Sequence, residues 1–425
     1  MTAIRAENTV LWPQVWGLGL VQGAIALTWV IYNLYLAQLL QEFGFPAALA
    51  ATLLIIENIL AAVMEPLMGS FSDRAQHRLG TRFPFIALGV ILSSLFFLGI
   101  PIVLVGVNPA QVLRWMLPIV LVAWAIAMTV FRSPALSLLG RYALRTQMPL
   151  AASILTLVGG VAGAMAPLAG NFILGLGPLF AFFIGSITLL VAAGALRAVG
   201  CNQHITPVVE DVEENKVKPD ATLSDQTSEA AQSPSPAFLG GVSLQKLGLI
   251  FGSGVGVALG FRLMMQVFPA LVAERVPDGS VSLIVGSIFV ALALTAIPAG
   301  TVAIRLGMRR SIILGLSLMA LGCVVMLAIA NVALAFGVAI ALGAAFSLVS
   351  NATIPFALSM VPPQKAGLGT GMYFSGGAAA SSLYGLVIGR GDEMSLAVGA
   401  VAGAIAFLMA ATCVGISMKT KAVQV

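Results

Sequence analysis

The sequence predicts an all-α membrane protein, with twelve transmembrane helices arranged as two pseudo-repeated six-helix halves around a central cavity. Of its 425 residues, 59% are hydrophobic and 9% are charged, and the mean hydropathy is +1.03. That composition leaves too little polar surface for a water-soluble globule. Apolar runs of about 20 residues recur along the chain, and a helix of that length crosses roughly 30 Å of hydrocarbon. A polar segment near the middle separates six runs from six.

Each apolar run predicts one membrane-spanning helix. The first run is too long for a secretory signal and lacks a small-residue cleavage site, so we expect it to remain as a helix. The abundant Gly and Ala residues favour close contact between membrane helices. The predicted spans are 13–40, 46–70, 83–106, 112–138, 148–174, 178–198, 244–272, 281–304, 310–329, 332–357, 366–389 and 394–417.

The basic residues predict the orientation of the chain. Because Lys and Arg resist translocation, the face that collects them is expected to be cytoplasmic, with both termini inside, in a plasma or inner membrane. This distribution explains the net charge of +5 without a nucleic-acid partner. The basic residues on that face are Arg74, Arg78, Arg82, Arg141, Arg145, Arg305, Arg309, Arg310, Lys365, Lys419 and Lys421.

Residues 201–241 interrupt the apolar pattern. They contain an acidic stretch and a region rich in Ser, Gln and Pro, and such low hydrophobicity predicts a disordered cytoplasmic linker. The linker divides the chain into an N-terminal half, residues 1–200, and a C-terminal half, residues 242–425. A parallel repeat of this kind places a binding site at mid-membrane between the halves.

The most informative motif lies after the second run, where Gly69-Ser-Phe-Ser-Asp73-Arg74 is followed by Gly80-Thr-Arg82-Phe-Pro-Phe-Ile. This motif resembles the loop between helices 2 and 3 of major facilitator superfamily transporters. Its long form is most similar to that of sucrose/proton symporters and the related glycoside–pentoside–hexuronide carriers. The resemblance implies that Asp73 and Arg74 lock the cytoplasmic helix ends as the transporter alternates between inward and outward states. Gly69 and Arg82 belong to the same gating set.

Other segments extend or limit the resemblance. Val21-Gln22-Gly23 and Ser133-Pro-Ala-Leu-Ser-Leu-Leu resemble sucrose-symporter segments, whereas Ala125 stands where that family carries an acid. A weaker copy of the loop motif, with Gly307 after Arg305, closes the eighth run. The glycines around Gly163 partly match a motif of drug/proton antiporters.

Four ionisable residues lie well inside apolar runs: Glu57, Glu65, Arg132 and Arg262. Each costs roughly 2.5–3.5 kcal/mol at the bilayer centre on insertion scales, so each should face the bundle interior or a cavity and find a partner. Counting 1.5 Å per residue from the helix ends places Glu65 and Arg132 at equal depth, about 12–13 Å from the cytoplasmic face. A Glu65–Arg132 bridge is therefore predicted, either as a structural clamp or as part of the gate.

Glu57 and Arg262 share a depth near the midplane, on opposite halves. Two arrangements are open: a bridge that opens and closes as the halves rock, or a lone buried Glu57 that takes up and releases a proton. Uncharged polar and aromatic residues add a predicted lining for substrate. They are Gln22, Trp29 and Asn33 on the first helix, Asn58 on the second, Gln266 on the seventh and Asn351 on the tenth.

The resemblance implies a secondary active transporter for a small solute, a sugar or glycoside, with or without proton coupling, acting as a monomer among membrane lipids. An exporter of amphipathic compounds and a non-transporting membrane assembly factor on the same fold stay open. The three cysteines have no metal or disulfide spacing. We find neither a nucleotide-binding loop nor a nucleophile–base set. We therefore expect no enzyme activity, no cofactor and no metal.

Overall fold

The computed structural model describes residues 10–46, 48–106, 112–201, 242–388 and 394–419. Among these residues, twelve segments of membrane-spanning length follow one another in the predicted order. They are α1 Trp12–Glu42, α2 Ala48–Leu79, α3 Phe83–Gly106, α4 Met116–Leu136, α5 Met148–Gly175, α6 Gly177–Cys201, α7 Leu244–Arg275, α8 Val281–Leu294 with Ala296–Leu306, α9 Met308–Val325, α10 Val332–Ser359, α11 Ala366–Ile388 and α12 Leu396–Lys419.

In the described part of the chain, ten helices and the bent α8 are each long and apolar enough to cross a membrane. The remaining helix, α11, is less apolar because Gly, Ala and Ser dominate its sequence. It packs between α2 and α7. Its small residues let both neighbours approach closely, which is how helices associate in a medium as apolar as themselves.

Two helices differ from their predicted form. The charged motif after the second run is helical rather than a loop, since α2 continues to Leu79 and turns only at Gly80, whose φ is 72°. The α8 segment bends by 54° at Thr295. Pro298 follows this break and has no N–H to donate to the carbonyl of Leu294, so the helical ladder is interrupted there.

The buried side chains form two hydrophobic clusters that correspond to the two halves. One cluster lies in residues 10–196, with Leu358 and Ala366 added from the second half, and the other in residues 242–414. Gly307 follows α8 as Gly80 follows α2, and its φ of 84° is also left-handed. The predicted linker, residues 201–241, lies almost wholly outside the described residues.

Contacts between the halves run mainly along two helix pairs, α2 with α11 and α5 with α8, and further contacts join α5 to α10 and α4 to α11. Glycines make these contacts close. A Cβ placed on Gly163 of α5 would lie 2.9 Å from the Phe289 ring of α8. The ends of α2, α4, α8 and α10 lie on the same side of the bundle, which we call the arginine-rich face because Arg78, Arg145 and Arg310 lie there.

Candidate functional site

A cavity of about 360 Å³ lies between the halves. The Glu65–Arg132 pair lies between this cavity and the arginine-rich face. Helices α1, α2 and α4 of the first half and α7 and α11 of the second half form the walls of the cavity. Its polar and aromatic lining consists of Trp29, Asn33, Glu57, Asn58, Thr129, Arg132, Arg262, Phe374 and Ser381. Hydrogen-bonding groups thus meet in one space from both halves of the chain.

Glu57 is a buried acid in the cavity wall, only 3% exposed. Its Oε1 accepts a hydrogen bond from the Tyr32 hydroxyl of α1, while Oε2 has no hydrogen-bond partner among the described residues. The Tyr32 ring lies against Trp124 of α4, with ring centroids 4.4 Å apart, and Trp29 lies 4.8 Å from the same indole. This aromatic cluster fixes the hydroxyl that Glu57 contacts.

Arg262 does not pair with Glu57, although both line the cavity. The Nε of Arg262 donates to the Ser381 hydroxyl of α11 at 2.9 Å, and its guanidinium lies 5.8 Å from the centre of the Tyr384 ring. Of the two arrangements that the sequence left open, the bridge between Glu57 and Arg262 is absent in this conformation. The lining therefore contains a guanidinium with no acidic partner among the described residues.

Arg132 and Glu65 form an ion pair between α4 and α2 at the end of the cavity. The Nε and Nη2 atoms of Arg132 lie 2.8 and 2.5 Å from Glu65 Oε1, and the guanidinium lies 4.5 Å from the centre of the Phe374 ring. Glu65 is fully buried. The pairing predicted from equal depth is confirmed; its part in gating stays a prediction.

The end of α2 is joined to the second half through Asp73. Its Oδ1 accepts from the backbone N–H of Gly367, and its Oδ2 accepts from that of Leu368, both at 2.9 Å. These donors belong to the first turn of α11, where backbone N–H groups lack intrahelical partners and favour a negative charge. Arg82 forms an ion pair with Asp73 and also donates to Ser137 after α4. We call this arrangement the Asp73 latch.

The environment of Arg82 is that of a buried charge. It is 1% exposed. Burial lowers the pKa of its guanidinium, and the neighbouring Asp73 carboxylate acts in the opposite direction. Arg74 is different. It is exposed at the surface, 5.8 Å from the centre of the Phe71 ring, and takes no part in the latch. Of the two arginines expected in the gate, Arg82 binds Asp73 and Arg74 does not, and the gating role of both stays a prediction.

Gly69 lies one turn above the latch, at a close crossing of α2 and α11. A Cβ on Gly69 would overlap the carbonyl oxygen of Gly367, and one on Gly367 would overlap that of Gly69. The Ser133 hydroxyl of α4 donates to the Gly367 carbonyl at 2.9 Å and lies 3.0 Å from the Thr370 hydroxyl. Three helices thus meet without a gap at this level.

Three predicted lining residues lie outside the cavity. The side chain of Gln22 lies beside Gly159 of α5, and Gln266 accepts a hydrogen bond of 2.6 Å from the Tyr384 hydroxyl. Asn351 is fully buried in α10, where its Nδ2 donates to the Ala296 carbonyl at the break of α8 at 2.7 Å. Asn351 stabilises the bend and does not face a solute.

Two contributors to the site were not predicted, Tyr32 as the partner of Glu57 and Ser381 as the partner of Arg262. Both contacts depend on how each helix is rotated about its axis, which a single-sequence depth count does not give.

A model of the MFS/sugar transport protein family matches residues 17–387 of the chain. The chain belongs to this family. Its fold and its membership of the major facilitator superfamily are as the sequence predicted, and the chain is an integral multi-pass membrane protein. Because this is a family of transport proteins, the expectation that the chain is not an enzyme is confirmed as well.

Named relatives match short stretches of the chain. Over 73 residues it is 40% identical to an uncharacterized symporter, sll1374, of Synechocystis, and over 78 residues it is 32% identical to human proton-associated sugar transporter A. These stretches cover 17% and 18% of this chain but only 13% and 10% of the two relatives.

Solved structures with the same fold match almost the whole chain. The Escherichia coli fucose:proton symporter FucP aligns with a TM-score of 0.63 at 11% identity, over 94% of this chain and 97% of its own. The human organic anion transporter MFSD10 aligns with a TM-score of 0.62 at 15% identity, over 95% and 98% of the two chains. At these identities the likeness establishes the fold alone.

Proposed function

We propose that this chain is a secondary active transporter that moves a small polar solute, a sugar or glycoside, by alternating access, with Glu57 as the site of proton coupling. The observation that carries the proposal is the cavity between the halves. Glu57 from the first half and Arg262 from the second face the same space, so relative movement of the halves changes the surroundings of both.

The lining of the cavity favours a polar cargo. Sugar rings have apolar C–H faces and hydroxyl edges, and the cavity offers an indole at Trp29 beside the amides of Asn33 and Asn58. The guanidinium of Arg262 adds further donors. A volume of about 360 Å³ lies within the roughly 300–1,000 Å³ of small-molecule sites.

The Asp73 latch supports alternating access. It holds the two halves together at the arginine-rich face, below the cavity, through hydrogen bonds that separation of α2 from α11 would break. The excess of arginine on that face favours a cytoplasmic location, with both chain ends inside. The described conformation then corresponds to a state that is closed to the cytoplasm. Since one chain supplies both walls of the cavity, we propose that the monomer is sufficient for transport.

The names of relatives support the choice of cargo and of coupling ion. One is a proton-associated sugar transporter, and one structural neighbour is a fucose:proton symporter. The alternative of an exporter has less support from the structure than it had from the sequence. The glycines of α5 that favoured it lie against α8, where Gly160 faces Ala293 and Gly163 faces Phe289. Helix packing accounts for them.

Uptake by purified protein in liposomes tests the proposal. Radiolabelled monosaccharides, disaccharides and aryl glycosides would be offered with and without an imposed inward proton gradient. We expect saturable uptake of at least one sugar class, with accumulation above the outside concentration only when the gradient is present. Empty liposomes and liposomes with a proton ionophore are the controls. Absence of saturable uptake for every sugar, together with export of lipophilic cations, would favour the exporter instead.

A further inference from the structure

A second cavity, of about 600 Å³, opens at the arginine-rich face between the two halves. Arg145 and Thr146, just before α5, form one wall together with Pro149 in the first turn of α5. The α8–α9 junction forms the other, with Arg309 and Arg310, and the end of α12 closes it. We call this space the basic cleft. It shares no lining residue with the cavity that contains Glu57 and Arg262.

Three arginines line the basic cleft, and none of them has an acidic partner among the described residues. Within the described part of the chain, the two ion pairs are Asp73 with Arg82 and Glu65 with Arg132, and neither involves the cleft. No Asp or Glu lines it. Like charges gathered in one concave site repel each other and create a positive potential there, which attracts an anion.

The position of Arg309 indicates a built feature rather than a chance gathering of surface charge. Its Nη1 donates to the backbone carbonyl of Ser417 in α12 at 3.2 Å, so that half-buried guanidinium is held in place. The other two arginines, Arg145 and Arg310, are exposed and free of ion pairs with described residues. One fixed and two exposed guanidinium groups suit the several oxygen atoms of a phosphate group.

Apart from Thr146 and Ser359, the rest of the lining is apolar or glycine, which favours a lipid over a soluble phosphate compound. Ala303, Ile304 and Leu306 of α8 and Met418 of α12 line the cleft. Leu306 is 41% exposed and Met418 is 37% exposed, both at the ends of their helices. A ligand with a phosphate head and acyl chains would satisfy both parts of the site.

We propose that the basic cleft binds the headgroup of an anionic phospholipid. The phosphate would contact arginines of both halves at once, Arg145 from the first and Arg309 and Arg310 from the second. A lipid bound there bridges the halves on the same face as the Asp73 latch and favours the conformation in which that face is closed. The inference does not depend on the identity of the cargo.

Native mass spectrometry of the purified full chain tests the site. The protein would be titrated with phosphatidylglycerol and, separately, with phosphatidylcholine of the same acyl chains. In the double variant Arg145→Gln/Arg310→Gln, we expect phosphatidylglycerol affinity to fall about tenfold, because each arginine near an anionic headgroup contributes to binding. Phosphatidylcholine binding should not change. Both substituted residues are exposed, so the fold is expected to persist, as a thermal unfolding curve would verify.

A matched control separates the cleft from overall charge. Arg78 and Arg197 are exposed and do not line the cleft. The double variant Arg78→Gln/Arg197→Gln removes the same charge and should bind phosphatidylglycerol as the unmodified chain does. Equal loss in both double variants, or no loss in the first, would overturn the proposal. Glycerol phosphate in solution is the last probe: if it binds at the cleft while phosphatidylglycerol does not, the assignment to a lipid is wrong.

Discussion

The Asp73 carboxylate at the end of α2 accepts a hydrogen bond of 2.9 Å from the backbone N–H of Gly367, the second residue of α11. The contact joins the first half of the chain to the second and places a negative charge at the start of a helix, where the helix dipole favours it. It also explains why a carboxylate stands at this position. The site requires an acceptor for two backbone N–H groups and one guanidinium group. Asp supplies two carboxylate oxygens on a short side chain.

The variant Asp73→Asn should slow transport while leaving affinity for cargo nearly unchanged. An amide keeps one acceptor oxygen but loses the ion pair to Arg82, so Arg82 becomes a buried charge without a partner, which is strongly destabilising. The closed arrangement of the arginine-rich face should therefore become less populated. Initial rates of uptake in liposomes and equilibrium cargo binding to purified protein would measure the two effects separately.

The control for this prediction is Asp278→Asn. Asp278 is exposed between α7 and α8 on the opposite face of the bundle, so its substitution should change neither rate nor affinity. If Asp73→Asn abolished cargo binding, and the uptake rate fell in proportion to that loss of affinity, Asp73 would belong to the cargo site. The latch assignment would then be wrong.

Gly367→Ala should open the arginine-rich face without altering any charge. The added Cβ would overlap the Gly69 carbonyl and press on Asp73, so α2 and α11 have to separate there. The separation can be measured with the variant Ser133→Cys, whose thiol lies in the contact below the cavity. The rate at which a water-soluble maleimide modifies this thiol reports how far the contact has opened. We expect modification to be faster when Gly367→Ala is combined with Ser133→Cys. Gly415→Ala, in α12 with open space around it, is the matched control and should leave the rate unchanged.

The lone variants Glu65→Gln and Arg132→Gln should each lower stability more than the double variant does. Removing one partner leaves a charge buried without compensation, at a cost of roughly 3–5 kcal/mol, whereas removing both leaves none. Thermal unfolding in detergent of the unmodified chain, the two single variants and the double variant gives the double-mutant cycle. Additive losses would mean that the two groups do not depend on each other.

Much of the fold could be predicted from the sequence because one physical requirement, the length of an apolar helix in a bilayer, dominates it. The depth of a residue follows from counting along a helix, and that is why the Glu65–Arg132 pair was predictable. The sequence named both Arg74 and Arg82 for the gate, and it did not indicate that Arg82 rather than Arg74 binds Asp73. Arg74 is next to Asp73 in sequence but points away on the helix surface. Arg82 returns to Asp73 only because the chain reverses at Gly80.

The parts of the site that sequence could not give depend on helix rotation and on local breaks. Gln22 shares a run with Trp29 and Asn33, yet its side chain lies beside α5 rather than in the cavity. Asn351 looked like a cavity residue because it is polar and mid-membrane. Its partner is the Ala296 carbonyl at the bend of α8. Pro298 marks a break in that run, but a depth count does not show that Asn351 packs against it.

Within the described part of the chain, Glu57 is the one acid that lines the cavity between the halves, and no arginine forms an ion pair with it. Its contact is the Tyr32 hydroxyl, a neutral group, and its second oxygen has no partner among the described residues. Burial disfavours the charged form of a carboxyl group unless a positive charge compensates it. The proposed coupling role requires that Glu57 carry a proton in the described conformation. Movement of the halves that brought Arg262 closer would favour its release.

On this reasoning Glu57→Gln should abolish accumulation of cargo against its gradient but preserve exchange of labelled for unlabelled cargo. The amide stands in for the protonated acid and keeps a hydrogen bond to Tyr32, so the cavity stays intact while proton release becomes impossible. Glu42→Gln, at the exposed end of α1, removes an acid outside the cavity and should accumulate cargo normally. Uptake and exchange in liposomes, with and without a proton gradient, measure both properties. Normal accumulation by Glu57→Gln would leave facilitated movement, or coupling to another ion, as the better mechanism.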